Sequence, residues 1–180
     1  ASPLINNAVI NLGNVRVGAA SPTQAVSITN VATVAPQAAL NATVSAAAPI
    51  TASGSFGLLA PGATNNSSIV VGMQTGTAGA KSGNATVSFV SDASNVGGCA
   101  PNCQLGIGTQ NVSVSGNVFN AAVGSATPTP VTLANQRVGG TVSQLLTVSN
   151  TAAAGAFSEA LNASFGVNTG AATNNGGNVG

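Results

Sequence analysis

Acid, base and ionic chemistry in this chain rest on five side chains, Arg16, Lys81, Asp92, Arg137 and Glu159, and there is no histidine. A serine nucleophile would have no imidazole base, and the two acidic residues are too far apart in sequence to read as the paired carboxylates of glycoside hydrolysis. Zinc and calcium sites need three or more ligands, which this set does not supply. The glycine-rich "GTAGAKSG", 76 to 83, has the wrong spacing for a phosphate loop and leads into a strand, not a helix. An isopeptide bond from Lys81 to an Asn would need a buried acid catalyst beside it. No catalytic, cofactor-binding or metal-ligating residue is assigned, and the expected answer is no enzyme.

Covalent chemistry is left to "CAPNC", Cys99 and Cys103. A lone pair of cysteines in a chain without histidine reads as a disulfide before it reads as half a metal site, with free thiols the other reading. A disulfide places the chain in an oxidising, extracellular or cell-surface setting. Six N-x-S/T sequons, at Asn41, Asn65, Asn66, Asn84, Asn111 and Asn162, would permit glycosylation in a suitable host. In a chain this rich in Asn, Ser and Thr they also arise by chance.

Composition narrows the class further. Charged residues are 3% of the chain and the net charge is +1, so no basic patch awaits a phosphate backbone and nucleic acid is not an expected partner. Apolar residues are 44%, yet Ser, Thr, Asn or Gly interrupts every run well short of the roughly 18 residues of a membrane span. The opening "ASPLINNAVINLG" lacks the basic end and apolar core of a signal peptide, which reads as a mature chain or a fragment. With so few titrating groups, the fold should change little between about pH 4 and pH 9.

Period-2 alternation supplies the elements. In "QAVSITN" Val26 and Ile28 share a face; in "NATVSFVS" Ala85, Val87 and Phe89 do; in "QNVSVSG" Val112 and Val114 do. Turn clusters such as "VGAASPT" and "LAPGATNNSS" separate these segments. The spacing predicts strands at 8 to 17, 23 to 30, 39 to 47, 50 to 57, 67 to 73, 83 to 91 and 109 to 119, and no helix. Seven short strands suit an antiparallel immunoglobulin-like β-sandwich. Five Phe and no Trp or Tyr leave its core to Val, Ile, Leu and Ala.

Both arginines sit in one pattern, "LGNVRVG" (12 to 18) and "LANQRVG" (133 to 139), shifted by 121 positions. "ALNATV" at 39 returns as "ALNASF" at 160 with the same shift, and Asn30 and Asn150, each ending a strand, differ by 120. An internal repeat follows. The expected fold is all-β, with tandem seven-stranded sandwiches: 1–120 the first repeat, 121–128 a linker, and 129–180 the first half of a second. Arg16 and Arg137 are structural markers of the same strand in each copy.

"INLGNVRVG", "AVSITN", "FGLLAPGATNNSSIVVGMQTGTAGAKSGNATVSFVSD" and "TQNVSVSGNVF" together resemble the bacterial choice-of-anchor D repeat, a relative of hydin-type, ASH-like immunoglobulin-like domains. The resemblance covers about residues 8 to 119, and 129 to 180 as half of a further copy. It implies a surface or secreted module in tandem arrays, structural or adhesive, without an active site.

Two functions are expected from these readings. One is a structural repeat of an extracellular fibre, sheath or surface layer, whose partners are copies of itself joined head to tail or further repeats of the same chain. The other is an adhesive or glycan-binding module, against which the lack of Trp and Tyr platforms counts. Aligning "GVNTGAATNNGGNVG" with "VSAAAPITASGSFG" sets Gly180 opposite Gly57, so the second copy has no counterpart of 58 to 119 within these residues. Strands from outside them are expected to complete it.

Overall fold

A computed structural model describes all 180 residues, Ala1–Gly180. It contains strands and turns and no helix, and the chain divides into two compact units, Ala1–Val118 and Phe119–Gly180. No helix is long and apolar enough to cross a membrane.

Unit 1 holds β1 (Pro3–Ile5), β2 (Val9–Arg16), β3 (Thr23–Ala25), β4 (Ile28–Asn30), β5 (Ala39–Ala46), β6 (Ile50–Leu59), β7 (Thr64–Asn65), β8 (Ile69–Met73), β9 (Gly79–Asp92) and β10 (Gln104–Phe119), whose last residue belongs to unit 2. One sheet runs β1-β4-β7 and another runs β2-β10-β9-β5-β6-β8-β3. The expected seven strands become ten, for physical reasons. Two pairings of two or three residues, β1 and β7, are too short to show a period. The stretch 23 to 30 bends, so that β3 pairs with β8 while β4 pairs with β1 and β7. Val26 N–H donates to the Ile69 carbonyl at the bend, 2.9 Å.

A second bend folds the large sheet over its own core. Residues 50 to 54 of β6 pair with β8, and Ser55, Phe56 and Leu59 pair with β5. Gly54 lies between the two halves at φ +103, and a Cβ there would run into the Ser68 carbonyl, so only glycine fits. The alternating residues of β9 and β10, Ala85, Val87 and Phe89 with Val112 and Val114, point into one core together with Ile10, Val26, Ile28, Leu40, Ile69 and Val71. Burying each Val, Ile or Leu contributes about 1.5–3 kcal/mol over leaving it exposed. The opposite face carries mainly Ser, Thr and Asn.

Unit 2 forms two strand pairs: β11 (Gly124–Thr127) with β12 (Thr147–Asn150), and β13 (Ala163–Ser164) with β14 (Asn178–Val179). Two expectations are corrected here. Residues 121 to 128, read as a linker, contain β11. Arg16 ends strand β2, but Arg137 lies in no strand, so the arginines do not mark a shared strand. What they share is a turn: the Arg16 carbonyl accepts from Ala19 N–H (3.1 Å) and the Arg137 carbonyl from Gly140 N–H (2.8 Å). Gly18 and Gly139, each the third residue of its turn, have φ +77 and +82. That is the geometry of a type II turn, which calls for glycine there.

Candidate functional site

The strand registers of the two units agree at positions related by the sequence shift. In unit 1, Pro3 opposes Asn30 and Ile5 opposes Ile28; in unit 2, Gly124 opposes Asn150 and Ala126 opposes Val148. Ala42 opposes Phe56 and Thr43 opposes Ser55; Ala163 opposes Val179 and Ser164 opposes Asn178. Thus β11 and β12 answer to β1 and β4, and β13 and β14 to β5 and β6. The stretch 130 to 137, shifted by 121 from β2, forms no strand, whereas β2 pairs with β10. A strand needs its neighbour to satisfy its main chain. Residues 143 to 145 answer to β3 and lack a β8 in the same way.

The uncovered side of these two strand pairs is an open groove of about 710 Å³ in unit 2, lined by Leu145, Leu146, Val148, Leu161, Phe165 and Val179 among others, with no charged side chain on its walls. Some of its lining residues correspond by sequence shift to buried positions of unit 1. Leu161 answers to fully buried Leu40, and Val148 to fully buried Ile28. Nearby, Val131 answers to Ile10, and their exposures are 47% and 2%.

Asn30 and Asn150 hold the same place in the two units. The Asn30 Oδ1 accepts from Ser2 N–H (3.0 Å) and Ala32 N–H (3.4 Å), while its Nδ2 donates to the Ala38 and Leu59 carbonyls, both 3.2 Å. The Asn150 Oδ1 accepts from Val123 N–H (3.0 Å) and Ala152 N–H (3.1 Å), and its Nδ2 donates to the Glu159 carbonyl (3.0 Å). The fourth bond, to the counterpart of Leu59, is the one missing. Sequence reading picked both residues as strand ends and overlooked this knot, although an Asn at a strand end is its signal.

The other sequence candidates stand apart from the groove. Cys99 and Cys103 form a disulfide with Cα atoms 5.0 Å apart, in the loop joining β9 to β10. Ala93 N–H donates to the Cys103 carbonyl (2.8 Å) at the base of that loop. Lys81 lies in β9, nearly buried, and its Nζ donates to Thr77 Oγ1 at 2.9 Å. Nowhere do three His, Cys, Asp or Glu side chains converge as metal ligands do.

Buried Asp92 was named only as a charge. Its Oδ2 accepts from Asn41 Nδ2 (2.9 Å) and Gln104 Nε2 (2.8 Å), and its Oδ1 from Ser94 N–H (2.9 Å). Ser94 first, then Asn41 and Gln104, stabilise the ionised form, and the carboxyl is held well below the usual carboxylate range. With its oxygens so engaged, Asp92 ties β5, β9 and β10 together. Of the sequon residues, Asn41 is spent on Asp92 and on Leu58 N–H, and Asn65 on Ser67 and Ser68.

No family model matches the chain, and no curated protein matches it. Among solved structures it is similar to an ASH / PapD-like domain of human CEP192, PapD-like domain 7, with a TM-score of 0.47 and 13% identity. The match covers 66% of this chain and 86% of that one.

Proposed function

We propose that the chain is a non-catalytic structural repeat module of an extracellular bacterial fibre, sheath or surface layer, and that its copies join end to end by β-strand complementation. The two units are read as successive copies of one immunoglobulin-like design, the second lacking its later strands within these residues. The observation that carries this reading is the groove: unit 2 builds the strand pairs of a sandwich in the register of unit 1 and leaves their apolar side open. An open apolar side with free strand edges is a template for further strands. The disulfide and the neutral, hydroxyl-rich outer faces support an oxidising setting and close packing of copies. Negative-stain electron microscopy with light scattering on purified chain tests the proposal. Regular filaments that lengthen with concentration are expected; dispersed monomers that are retained on a glycan array would favour the adhesive reading instead.

A further inference from the structure

We propose that the occupant of the unit 2 groove is the second half of a repeat of this same kind, patterned as residues 58 to 119 of unit 1 (the end of β6 followed by β7, β8, β9 and β10), and that Asn150 anchors its first residues. The inference rests on the strand-complementation reading and adds to it the identity of the complementing strands. Unit 1 is the template, because there the counterparts of the groove residues are covered. Leu40 and Ala42 of β5 lie between β6 and β9, with Ser91 opposite Leu40 and Phe89 opposite Ala42. Transferred to unit 2, an incoming β9 pairs with 160 to 167 on the edge away from β14 and sets its Phe against Ala163. Val26 N–H donates to the Ile69 carbonyl, so Leu146 N–H is placed to donate to the equivalent carbonyl of an incoming β8. An incoming β10 gives 130 to 137 the neighbour that makes β2 a strand in unit 1.

The groove also selects by chemistry. Its walls are apolar with hydroxyl and amide groups and no charge, so they exclude a charged peptide or a phosphate-bearing ligand. Free main-chain edges on both flanks ask for strands, since a helix satisfies its own main chain and would leave them unpaired. The second Nδ2 proton of Asn150 is free to donate to one main-chain carbonyl, as Asn30 donates to that of Leu59 at the end of β6, so it anchors the start of the incoming segment, while a slip of one residue in the strands that follow would turn their alternating apolar residues outward.

The test extends the full chain by a copy of residues 58 to 119 placed directly after Gly180. Amide hydrogen exchange is read at Leu146 and at 160 to 167, with unit 1 of the same molecule as the internal standard of folding. Protection should rise at least about a hundredfold over the unextended chain, as a locally open segment becomes part of a folded unit. An extension whose Val87, Phe89, Val112 and Val114 copies are serines should give no protection. Asn150→Asp in the extended chain keeps the acceptor oxygens and removes the donor, and should speed exchange at Leu146 by about tenfold, the loss of one hydrogen bond. An unprotected unit 2 in the parent extension, or equal protection from the serine version, overturns the occupant; unchanged exchange in Asn150→Asp overturns the anchoring role. If the extension folds onto unit 2 while filaments still form, assembly uses another surface, and it is the proposed function that falls.

Discussion

Asn30 and Asn150, 120 positions apart, bond the same three sites in their own units: the N–H of the residue just before β1 or β11, the N–H two residues on, and a carbonyl eight or nine residues on. Their difference is burial. Asn30 is sealed beneath β6, whereas Asn150 is exposed. Two side chains with the same geometry therefore have different energetic weight, because the cost of losing a hydrogen bond lies mainly in partners left dry.

Asn30→Ala removes a fully buried amide and leaves two carbonyls and two N–H groups, part-buried, without its bonds, and should destabilise unit 1 by about 3 kcal/mol. Asn150→Ala exposes its former partners to water and should cost less than about 1 kcal/mol. Chemical denaturation followed by amide exchange in each unit separates the two values; equal losses would contradict the contrast.

Asp92 governs the acid limit. Its folded pKa lies below the ordinary 3.8, so it contributes stability above that value, and the contribution is lost as pH falls through 3.8 toward the depressed folded value. Stability should be level from about pH 9 down to about pH 5 and decline below about pH 4. Asp92→Asn turns an amide donor toward groups that themselves donate, so this variant should be less stable at neutral pH and nearly flat in acid. A parent-like acid decline in that variant would place the acid sensitivity elsewhere.

Gly54→Ala should be among the most disruptive single changes in unit 1. The added methyl meets the Ser68 carbonyl, and the backbone there is at φ +103, which an L side chain rarely adopts. A loss of about 3 kcal/mol is expected. By contrast, Gly98→Ala in the disulfide loop meets only the unfavourable φ, since nothing lies within 4 Å of its Cβ. Thermal unfolding of the two variants should rank them in that order.

Intact mass without reductant should fall two hydrogens short of the reduced chain. The bridge spans only four positions, and closing so small a ring constrains the unfolded chain by about 2 kcal/mol. The double Cys99→Ser, Cys103→Ser variant should therefore remain folded at 25 °C with a lowered midpoint. Labelling of both cysteines in native material would count against the bridge.

Legibility in the sequence followed how local each cause was. Alternation at 84 to 91 and 110 to 116 marks strands because one face of each is buried, and that needs no knowledge of the partner. The bend at 23 to 30 left no such mark: Val26 and Ile28 keep their phase while the chain passes from one sheet to the other. β1 and β11, the same element in the two units, were both missed because a stretch of three or four residues has no measurable period. Arg137 was misplaced for a non-local reason, since its segment is strand-like in sequence and has no neighbour to pair with. The Asp92 cluster draws donors from positions 41, 94 and 104, which only the fold brings together.

Leu40 and Leu161 provide the last test, since one residue type occupies one place in two units with different surroundings. Leu40 is fully buried between β6 and β9, and Leu40→Ala should cost about 3 kcal/mol, the transfer of the lost atoms plus the cavity they leave. Leu161 lies on the groove wall, half-buried, where the lost contacts are few. Leu161→Ala should leave the unfolding midpoint of unit 1 unchanged and instead weaken whatever covers the groove. In light scattering, this variant should need about a thirtyfold higher concentration to self-associate, because removing about three carbons from an apolar contact costs about 2 kcal/mol. Unaltered association in Leu161→Ala, with Leu40→Ala behaving as a core variant, would mean that the groove is not the surface through which copies meet.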